Sequence, residues 1–354
     1  IALSFALSAG YALTVGVDET RAMLRVLYYL GVFATLAFAY EMGRRPEAYE
    51  IFLKGFVVMG VIYALYGAYQ ILAFYTGLPV RGIVYNASGG SFMAFEGGLL
   101  RINSLANEPK RLGYVLFVAA MACVFLARTR GPRRAIHLRW AAAGIFIISV
   151  MTFAGSYFIA VVLFALAAQL LFPKRATLYV FGILLIGIGL SVLVADLGII
   201  DALQHGYAKR MAEIAVGLDG TVVYRQEFFA WDYLANNQLS YLTGVGLGQY
   251  YSELNQAYGV GAGYNATGQL MALNSNFVEL ILDLGAISAV SIYGGLMFLI
   301  VRLRRTGETF LCLSLLFLVA QSLTILNLLF ISLFSGIAMG RLMLHKEGAR
   351  RGRS

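Results

Sequence analysis

The sequence predicts an all-α, polytopic membrane protein, a transmembrane helical bundle of about ten spans, and three observations carry that prediction. Hydrophobic residues make up 60% of the 354 residues and charged residues only 13%, a balance far more apolar than that of a soluble domain. The apolar residues gather into runs long enough to cross roughly 30 Å of hydrocarbon at about 1.5 Å per residue. The five prolines, Pro46, Pro79, Pro109, Pro132 and Pro173, all fall between those runs, so no span carries the ring that breaks a helical hydrogen-bond ladder.

Taken in order, the runs lie near 1–17, 22–40, 51–75, 113–128, 139–153, 156–172, 176–196, 275–301, 308–324 and 326–344. Only the short polar turn Thr152-Phe153-Ala154-Gly155-Ser156 separates the fifth from the sixth. The sequence starts at Ile1 inside an apolar stretch, with neither a methionine nor the basic head of a signal peptide, the pattern expected of a trimmed fragment with spans upstream. Cys123 and Cys312 both sit within apolar runs and read as small buried hydrophobes, not as disulfide partners. His137, His205 and His345 are scattered without metal-ligand spacing, so neither a metal nor another cofactor is expected.

Charge sets the orientation. A net charge of +9 would suit a nucleic-acid binder, but the basic residues are confined to segments between apolar runs, where membrane topology puts them, and nucleic acid is excluded as a partner. With the first span's N-terminus in the cytoplasm, that side receives Arg44, Arg45, Lys54, the set from Arg128 to Arg139, Lys174, Arg175, Arg302, Arg304, Arg305 and the tail from Arg341 to Arg353. These are 18 of the 27 Lys and Arg residues. Arg21 and Arg25 fall outside but flank a span, where they can snorkel. The other seven outer cations are Arg81, Arg101, Lys110, Arg111, Lys209, Arg210 and Arg225. They lie in two long loops, about 76–112 and 197–273, of a single membrane-embedded domain covering 1–354, with short amphipathic helices expected in both loops.

Long loops without low-complexity composition are usually functional. In the second loop, Thr221 to Asn237 has helical period: Tyr224, Phe228, Trp231 and Ala235 form one apolar stripe, while Arg225, Asp232 and Asn236 share another face. That is an amphipathic helix lying on the membrane surface or packed over the bundle, with Asp201 to Ala215 as a second. Gly244-Val-Gly-Leu-Gly248 lacks the Lys-Ser/Thr ending of a phosphate loop and reads as a tight turn whose glycines allow close backbone approach. Tyr258 to Gly268 reads as a flexible connection or lid.

Four charged residues, Arg101, Glu108, Lys110 and Arg111, cluster before the fourth span. Guanidinium forks bind phosphate oxygens in a bidentate way, so the cluster reads as an anion clamp; as an interfacial collar, Glu108 would pair with Arg111 while Lys110 snorkels. Arg225 likewise reads as a phosphate ligand or as a solvated residue paired with Asp232. Asn276 and Glu279 have the spacing of a capping box at the start of the eighth span. Asn276, Glu279 and Asp283 also share one helix face, and carboxylates in a span are costly unless paired or facing a polar cavity.

Three stretches together give the chain a family resemblance. They are Arg101-Ile-Asn-Ser-Leu-Ala-Asn-Glu-Pro-Lys-Arg-Leu-Gly113, then YRQEFFAWDYL followed by GVGLGQY, then NSNFVELILDLG at the start of a span. In this order and topology the chain resembles the bacterial O-antigen polymerase and O-antigen ligase superfamily of membrane glycosyltransferases, over residues 99–301. Where the ligases have histidine before the asparagine, this chain has Asn274 or Ser275, which favours a polymerase. The resemblance implies a GT-C type fold in the bacterial inner membrane, with its active site facing the periplasm. It implies an undecaprenyl-diphosphate-linked oligosaccharide as donor and another as acceptor, with membrane lipids, a chain-length regulator and a flippase as further partners, and no nucleotide sugar or metal.

Carried onto these positions, Arg101 or Arg111 and Arg210 or Arg225 would hold the donor diphosphate, and Glu108, or else Glu279, would orient or deprotonate the acceptor hydroxyl. Lys110, Tyr224, Trp231, Asn274 and Asn276 complete the expected substrate-binding set, with Tyr264 as a further aromatic that can stack on sugar or lipid. A ligase transferring to lipid A core or another acceptor is the alternative within the class. A lipid-linked sugar transporter or flippase is the alternative outside it, disfavoured by the lack of an internal repeat or a proline-broken span.

Overall fold

The computed structural model describes residues 5–10, 18–79, 94–96, 99–106, 109–152, 154–172, 223–259, 273, 275–323 and 327–351. These are almost wholly helical, and the chain packs as two compact units, one of Ile1–Arg45 with Gly220–Ser354, the other of Pro46–Asp219. Among the described residues five helices are long and apolar enough to cross a membrane: Glu19–Arg44, Pro46–Thr76, Lys110–Arg128, Ala286–Thr306 and Leu328–Gly348. This is a multi-pass helical membrane protein.

The expected count of about ten spans is not reached, for identifiable reasons. The runs 176–196 and most of 1–17 lie outside the described residues. The runs 156–172 and 308–324 form helices of 17 and 14 residues, apolar but short. The run 139–153 belongs to a helix that starts back at Pro132 among arginines. The run 275–301 is not one span: it breaks at Gly285 into Asn276–Leu284 and Ala286–Thr306.

The Pro46–Asp219 unit holds α2 (Pro46–Thr76), α3 (Pro109–Arg128), α4 (Pro132–Val150) and α5 (Gly155–Leu171). Each of the first three begins on a proline, where the missing N–H is no loss and the fixed φ already suits a helix. The expected turn at Thr152 to Ser156 does separate α4 from α5. Helix α3 is the core of this unit, with Leu112, Leu116, Val118, Ala119, Ala122 and Cys123 fully buried. Gly60 of α2 lies so close to it that a Cβ there would come within 2.4 Å of Ala119 Cβ. In the loop before α3, where short amphipathic helices were expected, the described residues form a small antiparallel hairpin. Strand β1 (Ala94–Glu96) pairs with β2 (Leu99–Arg101), with Ala94 opposite Arg101.

The other unit holds α1 (Glu19–Arg44), then α6 (Val223–Asn236), α7 (Gln238–Thr243), α8 (Tyr250–Tyr258), α9 (Asn276–Leu284), α10 (Ala286–Thr306), α11 (Thr309–Ser322) and α12 (Leu328–Arg351). Helices α1 and α12 meet backbone to backbone. A Cβ on Gly43 would fall 2.2 Å from Ile337 O, one on Gly336 2.4 Å from Leu36 O, and one on Gly340 2.2 Å from Tyr40 O. Gly336 and Gly340 are a small-xxx-small pair, and without a hydrophobic force between helices in lipid such close approach is what holds them.

Charge clusters mark both ends of this unit. At one, Glu308 accepts from Arg341 Nε at 2.9 Å and meets His345 Nε2 at 2.9 Å, while Arg44 reaches Glu347 at 3.4 Å. At the other sit Arg25, Glu279 and Asp283. Along α1, Arg25 and Arg44 are separated by about 28 Å of helix, close to the thickness of a hydrocarbon core.

Candidate functional site

The candidate clamp segment in the Pro46–Asp219 unit is built into its helices. Ile102 is fully buried, and Asn103 and Ser104 are 2% and 1% exposed. The amide of Gln70, about two turns from the C-terminal end of α2, donates to Asn103 Oδ1 at 3.1 Å and accepts from the Ser104 N–H at 2.8 Å. Ser104 Oγ donates to the Tyr63 carbonyl at 2.6 Å, and Asn103 Nδ2 to the Ala106 carbonyl at 3.0 Å. Immediately before this turn Arg101 ends β2, and after it Lys110 and Arg111 occupy the first turn of α3, both half-buried. Gly113 lets the helix lie against the Tyr157 ring, which would be 2.8 Å from a Cβ there, and Tyr157 is fixed by Ser149 Oγ at 2.8 Å. Glu108, the candidate base, lies outside the described residues.

The other unit joins a second group of sequence candidates. Helix α9 is capped by Ser275, whose Oγ accepts from the Val278 N–H at 3.4 Å. The capping box expected at Asn276 and Glu279 is therefore replaced, because Asn276 is already the first helical residue. Its amide meets that of Asn327 at 2.7 Å and caps α12 by accepting from the Asn327 and Leu328 N–H groups at 2.9 and 3.3 Å.

Glu279 is 2% exposed and Asp283 fully buried. Their common cation is Arg25 of α1: Nη2 lies 2.6 Å from Glu279 Oε2 and Nε 2.6 Å from Asp283 Oδ2. Tyr29 OH donates to Asp283 Oδ2 at 2.9 Å, the Gly248 N–H to Oδ1 at 3.0 Å, and Tyr250 OH to Glu279 Oε1 at 3.3 Å. The guanidinium also stands over the Tyr28 and Tyr29 rings, 5.0 and 5.2 Å from their centroids. Asp283 thus accepts from three protein donors, while Glu279 has the Arg25 charge and one tyrosine hydroxyl. Burial, reinforced by the charge of Glu279, pushes the nearby Tyr251 hydroxyl up to about 12.

The glycine turn supplies the close approach that its composition predicted. Gly244, Gly246 and Gly248 all have positive φ, and Val245 N–H donates to Leu282 O at 2.7 Å. Gly285, at φ 83° and ψ 161°, lies where a Cβ would meet Leu242 O at 2.1 Å, so the break between α9 and α10 is where α7 docks.

Helix α6 forms as expected, and of the two placements open for its apolar stripe the one packed over the bundle is not taken. Ala230, Tyr233 and Leu234 are buried, whereas Phe228 is 67% and Trp231 42% exposed, so these residues of the predicted apolar stripe face away from the packed core. Asp232 accepts from Tyr258 OH at 2.6 Å, which gives it a partner other than Arg225. Tyr224 and Arg225 belong to the first turn of α6. Arg81, Lys209, Arg210, Tyr264 and Asn274 lie outside the described residues, as does the expected helix at 201–215.

Arg101 and Arg111 belong to one unit and Arg225 to the other. Two residues escaped sequence reasoning. Gln70 gave no motif, but Arg25 did give a signal: it stands inside the run 22–40, and a cation there needs a partner just as two acids inside 275–301 need one. No protein-family model, curated protein or solved structure matches this chain.

Proposed function

We propose that this protein is a membrane glycosyltransferase, a polysaccharide polymerase that transfers a polyprenyl-diphosphate-linked glycan to a sugar hydroxyl of another lipid-linked repeat at the periplasmic face of the inner membrane. The observation that carries the proposal is the mounting of the arginine-bearing segment: Asn103 and Ser104 are buried and tied to α2, so Arg101 and the Lys110-Arg111 pair flank a fixed turn instead of a loose collar. Fixed guanidinium groups suit this chemistry. The acceptor oxygen forms a bond to the glycosyl C1 as the bond from C1 to the diphosphate oxygen breaks, and the electron pair leaves with the diphosphate. Preorganised cations stabilise that growing charge more than the ground state. The acceptor proton passes to a base, for which Glu108 is the candidate, and attack opposite the leaving group inverts the anomeric centre.

The test is transfer by purified protein supplied with a synthetic polyprenyl-diphosphate oligosaccharide. A ladder of products is expected, abolished by Arg101→Ala, Arg111→Ala or Arg225→Ala at normal membrane levels. Full-length polymer from all three variants would remove the arginine clamp. If the ladder is absent and polymer instead moves to lipid A core or another acceptor, the protein is a ligase-type transferase.

One observation favours a flippase or transporter: the helix break at Gly285 beside a buried ion cluster, a device of transporters. That cluster, however, stands about one hydrocarbon thickness from Arg44 and so at a membrane boundary, whereas transporter sites gather near the midplane. Lipid flipping in liposomes without sugar transfer would reverse the preference.

A further inference from the structure

Gln70 lies in α2, one of the helices long and apolar enough to cross a membrane, and is fully buried. An amide in such a helix is costly unless both its ends are hydrogen-bonded. Here both ends are spent on the turn before α3, the nitrogen on Asn103 Oδ1 and the oxygen on the Ser104 N–H. Ser104 itself has φ 50°, the one non-glycine residue with positive φ among those described. A side chain held in that region is strained by about 1 kcal/mol or more and persists only where its surroundings over-determine it.

The surroundings do so from one stripe of α2. Tyr63, Gly67 and Gln70 follow one another at helical spacing. Tyr63 supplies a carbonyl to Ser104 Oγ at 2.6 Å. Gly67 leaves room for Ile102: a Cβ there would stand 3.3 Å from Ile102 Cδ1 and 2.9 Å from Ile148 Cγ2. Gln70 closes the dock. The turn so held joins Arg101 to the first turn of α3, where Lys110 and Arg111 sit.

We infer that Gln70 is a positioning residue: its amide clamps the 102–106 turn to α2 and thereby sets where Arg101 stands relative to the start of α3. The consequence for transfer rests on the function proposed above, while the clamping itself does not. No bond to substrate is assigned to Gln70; it acts through Asn103 and Ser104.

The experiment measures two things on the purified full chain, amide hydrogen exchange in 102–106 and kcat/KM per folded molecule with a synthetic polyprenyl-diphosphate oligosaccharide. Gln70→Leu removes both hydrogen bonds and leaves an apolar side chain that the span tolerates. Its Ser104 and Ala106 amides are expected to exchange roughly tenfold faster or more, with those of α3 unchanged, and kcat/KM to fall by a similar factor. Asn103→Ala breaks the Gln70–Asn103 bond from the loop side without touching the span, and it serves if Gln70→Leu does not reach the membrane.

A residue that mattered only for global folding would lower the yield of protein and leave kcat/KM per folded molecule as in the wild type. Wild-type exchange at Ser104 and Ala106 in both Gln70→Leu and Asn103→Ala overturns the inference. Faster exchange with undiminished transfer leaves the clamp standing and sinks the assignment of Arg101 and Arg111 to the diphosphate.

Discussion

Replacing Arg25 by methionine keeps a long apolar stem and removes the one charge that Glu279 and Asp283 share. The two carboxylates are 2% and 0% exposed, and each lies 2.6 Å from the guanidinium, so neither has water to turn to. Breaking a buried pair by removing one partner costs about 3–5 kcal/mol, chiefly the penalty of the charge left behind. One guanidinium here serves two acids, which places Arg25→Met toward the upper end of that range. For a folding unit of this size the loss corresponds to a fall in melting temperature of roughly 10 °C. The assay is thermal unfolding of the detergent-purified protein followed by size-exclusion recovery. The same reasoning predicts rescue: in the triple variant Arg25→Met, Glu279→Gln, Asp283→Asn no uncompensated charge remains, and the amide introduced at position 283 can accept from the Gly248 N–H through its oxygen and donate to the Tyr29 hydroxyl through its nitrogen. That triple variant is expected to regain most of the lost stability. If Arg25→Met melts with the wild type, the cluster is open to water and the account of a dry ion network is wrong.

Three further outcomes follow from the same unit. Gly336→Val or Gly340→Val places side-chain atoms where Leu36 O and Tyr40 O stand, 2.4 and 2.2 Å from a first Cβ, and so separates α1 from α12. A loss on the order of 3 kcal/mol is expected, read as a lower melting temperature or as absent folded protein, and wild-type melting would refute the backbone contact. Gly285→Ala meets both a conformation almost reserved for glycine and Leu242 O at 2.1 Å, so it should destabilise by about 3 kcal/mol, whereas Gly295→Ala, with open space around it, should be neutral or slightly stabilising. Equal melting of the two variants would count against the docking of α7 at the break. Tyr251 has its hydroxyl held up to about 12 by burial and Glu279, above the value of about 10 for a free tyrosine. The protonated ring is the form the fold favours, so its contribution is complete below about pH 10 and is lost as the pH climbs toward about 12. Tyr251→Phe should therefore flatten the alkaline fall in stability over that interval, and an unchanged alkaline profile would exclude Tyr251 as its source.

Composition and periodicity by themselves determined the membrane class and located helices α1, α2, α3, α5 and α11 to within about five residues, because a hydrocarbon layer demands long runs that satisfy their own backbone; the ends of α4 and α12 were less well placed, and α10 was fused with α9 in one run. The α4–α5 turn and the glycine turn before α8 were legible for the same local reason: each depends on a few adjacent residues. Partners across the chain were not. Arg25 lies 258 positions from Asp283, and nothing in the spacing of either says that α1 packs beside α9. Read alone, Arg25 looked like a snorkelling flank, and Glu279 and Asp283 like acids needing a partner or a polar cavity that the sequence did not name. Only their juxtaposition shows one buried ion network.

The break at Gly285 escaped because hydropathy averaged over some twenty residues does not register a single residue of unusual φ. Periodicity found the apolar stripe of α6 but left open whether it faces the bundle or the membrane surface, and only the burial of Ala230, Tyr233 and Leu234 shows which face packs. Gln70 is the sharpest case. In the sequence it is one polar residue in an apolar run, and its meaning exists only in the turn that folds back on it. The sequence therefore determined the membrane class and which charges need partners, while tertiary packing decided which charges pair and which loop is held rigid. Those choices rest on distances between residues far apart in the chain.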